Sequence, residues 1–336
     1  MSVTVIALLM FSSMILLLVT GRQIFIIVGA VGTIAALCLW GSGAEDMPYL
    51  GGFSYMKWYP LLALPPFVLM GYTLSKSGLA DRLYDTMYLW AGRMPGGLAM
   101  GTVGICALMA TMSGLSFCAT VTAGTISLPA MLKRKYDKKL ATGVILAAGA
   151  LGFLIPPSIV FILYGMIARV SIGHLWIAGI LPGVLLATMY VIYIGVRCRI
   201  SPELGPPLPP DQRVDWRKKF RSLSSAISPI ILVFMVLGLL FSGVTSLIEC
   251  SAVGATGALI IAALNKKLTR QNFNEILQNT LHVSVMILWI IVAAILFGAV
   301  FDGLGAVHSA ENILNIVGGG NRWHILIAMQ FSFILM

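Results

Sequence analysis

Apolar runs of membrane-spanning length recur along the whole of this chain, at Val3 to Val19, Ile24 to Trp40, Trp58 to Leu74, Ile172 to Val196, Ile227 to Phe241 and Val283 to Phe297. Most approach the roughly 20 residues that a spanning helix needs, which makes them membrane helices rather than core strands. Hydrophobic residues fill 59% of the 336 positions and charged ones only 10%, too few to cover a water-soluble surface. The first run has no basic segment before it, and after Arg22 a second span-length run follows, so it reads as a retained helix rather than a signal peptide. Cys38, Cys106, Cys118, Cys198 and Cys250 are scattered through apolar runs without C-x-x-C spacing, which argues for small buried residues and against a zinc site or disulfide framework.

The net charge of +10 would suit nucleic acid, but the positions of the charges argue otherwise. The cluster Lys133, Arg134, Lys135, Lys138 and Lys139 is assigned to the cytoplasm because positive loops stay inside. Counting spans outward from it leaves 19 of the 22 basic residues in cytoplasmic loops and only Lys57, Arg169 and Arg322 outside. The basic excess is therefore a topology signal. It predicts an external N-terminus, an external loop from Gly41 to Lys57 carrying Glu45 and Asp46, and a return to the cytoplasm near Lys76. The expected setting is the lipid bilayer, with no nucleic-acid partner.

The predicted fold is an all-α multi-span bundle. Scaffold-like helices occupy 1–76. In the segment 77–96, Leu79, Leu83, Met87 and Trp90 share one helical face while Asp81, Arg82 and Asp85 fall mainly on the other, predicting an amphipathic helix along the inner interface. The stretch 97–200 forms a first repeat. Within it, 97–132 is apolar, long for one tilted span and short for two, and its middle, Ser113-Gly114-Leu115-Ser116-Phe117-Cys118-Ala119-Thr120, is rich in small and hydroxyl residues. That combination predicts a re-entrant helical hairpin. The next stretch, 140–168, is interrupted by Gly149, Gly152 and Ile155-Pro156-Pro157-Ser158, predicting a discontinuous helix, and 172–196 is a further span. Prolines at 156 and 157 would free the carbonyls of Gly152 and Phe153. Unpaired backbone at membrane depth is tolerated only when buried in protein or lining a polar cavity, and a bound cation would satisfy several carbonyls together. The plainer alternative is a proline kink stabilised by neighbouring helices.

A Pro-rich charged linker, 201–222, with Pro206, Pro207, Pro209 and Pro210, separates this repeat from a second half, 223–336. Asp302 to Arg322 is glycine-rich, and Ile325 to Met336 offers twelve mostly apolar residues, too few to cross a bilayer. The expectation is a native protein that continues further, and a chain that inserts but does not transport by itself.

Three stretches together resemble the large permease subunit of tripartite ATP-independent periplasmic (TRAP) transporters. They are Gly78-Leu79-Ala80-Asp81-Arg82 through Arg93-Met94-Pro95-Gly96-Gly97-Leu98; Met112-Ser113-Gly114-Leu115-Ser116 with Ala123-Gly124-Thr125 and Leu128-Pro129-Ala130-Met131; and Gly149 to Ser158 with Ser171-Ile172-Gly173 and Ala178-Gly179-Ile180-Leu181-Pro182-Gly183. The region Thr245-Ser246-Leu247-Ile248-Glu249 keeps the glutamate but not the proline of a run common in that family. The resemblance implies an elevator-type, inverted-repeat, sodium-driven carrier in a bacterial inner membrane, here with its second repeat incomplete. It also implies a small membrane subunit and a periplasmic substrate-binding protein as partners, and an organic acid, commonly a carboxylate, as cargo.

Hairpin tips and broken helices are also where transporter physics places substrate and ions. The candidate contacts are Ser113, Gly114, Ser116 and Thr120 on the hairpin and Gly149, Gly152, Phe153, Pro156, Pro157 and Ser158 on the broken helix. Ser113, Gly114, Ser116, Gly152 and Phe153 are the candidates for holding Na+ as coupling ion, and no cofactor is expected. The same small residues could simply let helices approach closely. Glu249, near the outer end of a span, is a further functional candidate, and Trp58, Trp90, Trp176 and Trp323 read as interfacial anchors.

An ion- or proton-coupled antiporter of another inverted-repeat family would usually carry an acidic or basic residue at the midplane. Gly96 to Leu132 and Leu140 to Ala168 contain none, which favours sodium held by neutral oxygens. A structural membrane subunit without transport remains an alternative. A catalytic constellation is missing from the sequence, since His174, His282, His308 and His324 share no ligand spacing and neither H-E-x-x-H nor G-x-S-x-G occurs.

Overall fold

Helix is the only regular secondary structure among the described residues of the computed structural model, which are 2–47, 50, 57–91, 94–207, 216–309 and 322–335. The chain forms two compact units, one from Met1–Tyr59 with Val285–Met336 and one from Pro60–Ser284. The predicted scaffold segment 1–76 is thus shared between them, as is the second half.

In the first unit, α1 (Val3–Leu18) and α2 (Ile24–Leu39) pack with the later part of α12 (Arg270–Gly303). Small residues permit the approach. A side chain at Gly32 would begin 3.1 Å from the backbone of Phe297, and one at Gly29 would meet Ala293. Aromatic rings fill the remaining space, with Phe11 edge-on to Phe301 at 5.2 Å and Phe25 stacked on Trp289 at 6.1 Å. The last helix, α13 (Arg322–Leu335), completes the described residues of the unit.

The second unit begins differently from expectation. The run Trp58 to Leu74, expected as one span, starts as a 3-10 turn over Tyr59–Ala63 and becomes α-helical only in α3 (Leu64–Lys76). Thirteen helical residues reach about 20 Å, short of the roughly 30 Å hydrocarbon layer. Pro60, Pro65 and Pro66 explain the late start, because proline is tolerated in a first helical turn but not in a helix interior. Phe67, Met70 and Leu74 of α3 are buried, and α11 (Leu247–Leu264) fits beside it with Gly254 against the Met70 sulfur.

Next, α4 (Leu79–Ala91) carries the predicted amphipathic pattern, but its apolar face meets protein. Leu79 and Leu83 are fully buried, Met87 lies over Gly101 and Gly104 of α5 (Gly97–Ser113), and Trp90 Nε1 donates to the Lys219 carbonyl of α10 (Trp216–Phe241) at 3.2 Å. The side chains of Asp81 and Asp85 lie outside the described residues, as do Arg93, Pro209 and Pro210. Helix α10 starts at Trp216, inside the segment expected as linker. Between α5 and α10 run α6 (Ser116–Lys133), α7 (Lys138–Gly149), α8 (Ile159–Ala168) and α9 (Ile172–Ile200). Helices α9, α11 and α12 are long and apolar enough to cross a membrane.

Loops predicted on one side of the membrane meet one another within this unit. Gly96 N–H donates to Gly205 O at 2.8 Å, and Asp137 N–H to Leu204 O at 3.0 Å. Elsewhere Lys76 pairs with Glu275, Arg82 donates to Asn265 Oδ1 at 3.2 Å, and Gly78 faces the Lys267 side chain. The loop around residues 76–82 is thereby joined to that around 265–275, and those around 94–96 and 133–139 are both joined to that around 197–205.

Candidate functional site

The hairpin turn is two residues long. Helix α5 ends at Ser113 and is capped by Gly114, whose φ of +62° is left-handed, and Leu115 is extended before α6 begins at Ser116. Glycine is required at 114 for two reasons. The left-handed backbone disfavours side chains, and a Cβ there would lie 2.8 Å from the Pro157 carbonyl oxygen. The turn thus rests directly on the interruption between α7 and α8.

That interruption is a short 3-10 turn, Ala150–Phe153, followed by the non-helical residues 154–158 with a cis Pro156–Pro157 peptide bond. Ser116 Oγ donates to the Gly149 carbonyl at 2.8 Å, and Thr120 Oγ1 donates to Ser116 O at 3.0 Å. A side chain at Gly149 would collide with Thr120, and one at Gly152 would begin 2.8 Å from Ser116 N and Cα. From the other side, Ile159 N–H donates to Gly114 O at 3.3 Å. Of the ten residues singled out from the sequence, Ser116 and Thr120 are brought against Gly149 and Gly152, and Gly114 against Pro157. Ser113 closes α5, but its side chain lies outside the described residues.

Of the two carbonyls expected to be freed, that of Phe153 needs correction. The Phe153 carbonyl accepts a hydrogen bond from Ser158 Oγ at 2.8 Å, so a side-chain hydroxyl replaces the amide that proline removes. The N–H groups of Leu154 and Ile155 both turn back to Leu151 O, at 3.0 and 2.9 Å. The Phe153 ring is half-exposed. Pro156 borders an apolar cavity of about 240 Å³ with Leu83, Met112, Ile180 and Val233.

Trp176 also differs from expectation. It is fully buried rather than interfacial: Nε1 donates to Ser158 O at 3.2 Å, and its ring lies edge-on to Phe67 at 5.7 Å. Gly179 and Gly183 of the same helix accommodate Leu154 and Ile155, with a Cβ at Gly179 falling 2.6 Å from Leu154 O. The break is therefore held by Ser158 and Trp176 as well as by the hairpin. Burial of Trp176 was hidden by its place near a span end, although the glycines three and seven residues later signal a close approach on one face.

Glu249 is used locally. Its Oε2 accepts from Ser246 N–H at 2.7 Å while its own N–H donates to Ser246 Oγ at 3.3 Å, a reciprocal capping box that starts α11. The pattern Ser246-Leu247-Ile248-Glu249 carries that signal in sequence.

Chemically, the tip gathers opposite helix ends. The carbonyl end of α7 meets the Ser116 hydroxyl, the Gly114 carbonyl that follows α5 meets the Ile159 N–H, and Ser116 and Thr120 each keep acceptor lone pairs after donating their protons. Helices α6 and α8 both begin without a side-chain cap, so their N–H-rich ends are turned toward the same region. The arrangement offers neutral oxygens to a cation and amide dipoles to an anion.

The family model of the tripartite ATP-independent periplasmic transporter DctM component matches residues 11–336. A C4-dicarboxylate TRAP transporter large permease protein of Rhodobacter capsulatus is 30% identical over 306 residues, 87% of this chain and 68% of the relative. One from Pseudomonas aeruginosa is 32% identical over 249 residues, 74% of this chain and 57% of the relative. An ectoine TRAP transporter large permease protein of Halomonas elongata is 31% identical over 201 residues, 60% of this chain and 46% of the relative. The chain thus spans about half to two thirds of these relatives' lengths. The family is one of multi-pass membrane transport proteins, not of enzymes. By the match over nearly its whole length, and by the order of its hairpin and broken-helix motifs, the chain belongs to the DctM-component family of tripartite ATP-independent periplasmic transporters.

Proposed function

We propose that this chain is the permease part of a sodium-coupled, binding-protein-dependent secondary transporter that imports a small organic acid, with a carboxylate as the favoured class. The observation that carries the reading is the seating of the Gly114 turn on the Gly149–Ser158 break, which brings two carbonyl ends, two hydroxyls and two uncapped helix starts together. Sodium would sit among the hydroxyl and carbonyl oxygens of Ser116, Thr120, Gly114 and Gly149, and the substrate carboxylate would face the starts of α6 and α8. Neither the hairpin nor the break carries an acidic or basic side chain for proton coupling. Relatives named for C4-dicarboxylates and for sialic acid support an anionic cargo.

The partners in this reading are a small membrane subunit and a periplasmic substrate-binding protein. One relative is named as a permease protein DctMQ, and the family's tripartite name carries the same organisation. The setting is a bacterial inner membrane with the N-terminus in the periplasm, as the basic loops indicate. Cysteines placed at Lys135 and Asp46, both exposed, should then be labelled from the cytoplasm only and from the periplasm only, respectively; the reverse pattern would refute the orientation.

Sodium coupling is tested by thermal unfolding of the assembled transporter in sodium and in choline. A specific site adds about 2.7 kcal/mol at a hundredfold excess over its dissociation constant. Replacing Ser116 with alanine should diminish the sodium-dependent shift, because it removes one oxygen ligand and releases the Gly149 carbonyl. Equal unfolding temperatures in sodium and choline would leave the break as packing alone.

A further inference from the structure

A cavity of about 630 Å³ lies between α5, α7 and α9 and shares no lining residue with the hairpin tip or the break. On α7, Leu140, Gly143, Val144 and Ala147 follow i, i+3, i+4, i+7, and on α9, Tyr190, Tyr193, Ile194 and Arg197 repeat that spacing. Each helix therefore presents one stripe to the cavity. The helices run in opposite directions here, because the Asp137 to Leu204 hydrogen bond ties the start of α7 to the end of α9.

The lining is graded along that axis. Lys139 and Arg197 stand at the tied end, among the basic loops. About 10 Å further along the helices the walls are Val144, Ala147 and Tyr190, joined by Val103 of α5. Both cations are exposed, and neither is ion-paired with an acid among the described residues. Asp137, also in the lining, already accepts the Leu140 N–H at 2.9 Å as the cap of α7. Gly143 keeps the apolar part open, since nothing lies within 4 Å of where its side chain would start.

A soluble anion has no use for the apolar shaft, and an apolar solute has none for two cations at its mouth. One molecular shape uses both. We propose that this slot binds an anionic phospholipid from the leaflet facing the basic loops. Its phosphate lies between Lys139 and the planar fork of Arg197, and one acyl chain lies between α7 and α9. Tyr193, one turn from Arg197, stands at the level where tyrosines favour the headgroup boundary. The inference depends on the membrane setting and not on sodium coupling, so each can fail without the other.

The test reconstitutes the 336-residue chain in phosphatidylcholine nanodiscs doped with phosphatidylglycerol carrying a photoreactive acyl chain. A parallel arm uses photoreactive phosphatidylcholine, and adducts are mapped by peptide mass spectrometry. Phosphatidylglycerol adducts should concentrate on residues 140–147 and 190–194 and exceed those of phosphatidylcholine. Lys139→Gln with Arg197→Gln should lower them by roughly tenfold to thirtyfold, the effect of two basic residues beside an anionic lipid. Gly143→Leu, a change that raises helix propensity, should fill the shaft and remove acyl adducts of both lipids from these peptides. Circular dichroism and gel filtration verify that each variant is folded. Equal labelling by the two lipids, or labelling spread evenly over all exposed helices, would overturn the site. Competition by inorganic phosphate would reassign the cations to a soluble anion, and loss of labelling on assembly with the small membrane subunit would reassign the slot to a protein interface.

Discussion

Two interruptions of helix in the second unit solve the same problem by different means. Between α10 and α11, the chain turns through residues 242–246, and the backbone N–H groups of Ser242, Gly243, Thr245 and Ser246 find partners nearby in sequence: Thr245 N–H bonds Leu239 O, and Ser246 and Glu249 exchange bonds across one helical turn. Between α7 and α8, the partners come from far along the sequence. Ser116 lies 33 residues before Gly149, Trp176 lies 18 residues after Ser158, and Gly114 reaches Pro157. A locally satisfied turn is indifferent to what approaches it. A break satisfied by other elements can exchange those partners for an ion or a substrate, which is why the second interruption is the better place for function.

Three measurements can break or sharpen this contrast. The largest effect is expected at Trp176, where truncation to alanine empties a fully buried site beside Phe67 and should cost about 3–5 kcal/mol in unfolding free energy. Trp176→Phe keeps most of the ring contact and drops the bond to Ser158 O, which should cost about 1 kcal/mol. A cost for Trp176→Ala no greater than that of the phenylalanine variant would show that the long-range brace is unimportant.

Next comes the contact of the hairpin with the break. Gly149→Ala places a methyl against Thr120 and should cost about 1–3 kcal/mol while weakening any sodium-dependent stabilisation. Adding Thr120→Ala should recover part of the loss, because the two groups compete for one space. Failure of the pair to recover anything would place the strain elsewhere.

The smallest effect is expected at the local turn. Ser246→Ala removes the cap of α11 and should cost about 1 kcal/mol, with the sodium-dependent shift unchanged. Combined with Gly149→Ala it should be additive within about 0.5 kcal/mol. A changed sodium response in Ser246→Ala would erase the distinction between the two interruptions.

Much of the second interruption is legible in the amino-acid sequence. The Pro156-Pro157 pair and the cluster from Ser113 to Thr120 both announce a failure of helix, and the turn falls at Gly114–Leu115, within the predicted stretch. The amphipathic pattern Leu79, Leu83, Met87 and Trp90 falls within α4, which runs Leu79–Ala91 inside the expected segment 77–96. The identity of each partner is not legible in the same way. That Ser158 satisfies the Phe153 carbonyl depends on how the five residues of the break fold back on themselves, and that Trp176 is buried rather than interfacial depends on chain segments meeting from a distance. The capping role of Glu249 is legible from its spacing to Ser246, yet an acid near a span end invites a functional reading first. The third apolar run misleads for another reason. Hydropathy measures how apolar a stretch is, whereas Pro60, Pro65 and Pro66 decide where its helix can begin.

Helix α9 has 29 residues and is about 43 Å long, with Trp176 in its second turn and Arg197 near its far end. Pro182 lies inside it and cannot donate to the Ala178 carbonyl, so one rung of its hydrogen-bond ladder is missing between the two glycines on which Leu154 and Ile155 rest. Considered as a beam, α9 is most compliant at the point where it carries the break. A bend of the helix at that missing rung would shift first the residues that rest on it, Leu154 and Ile155.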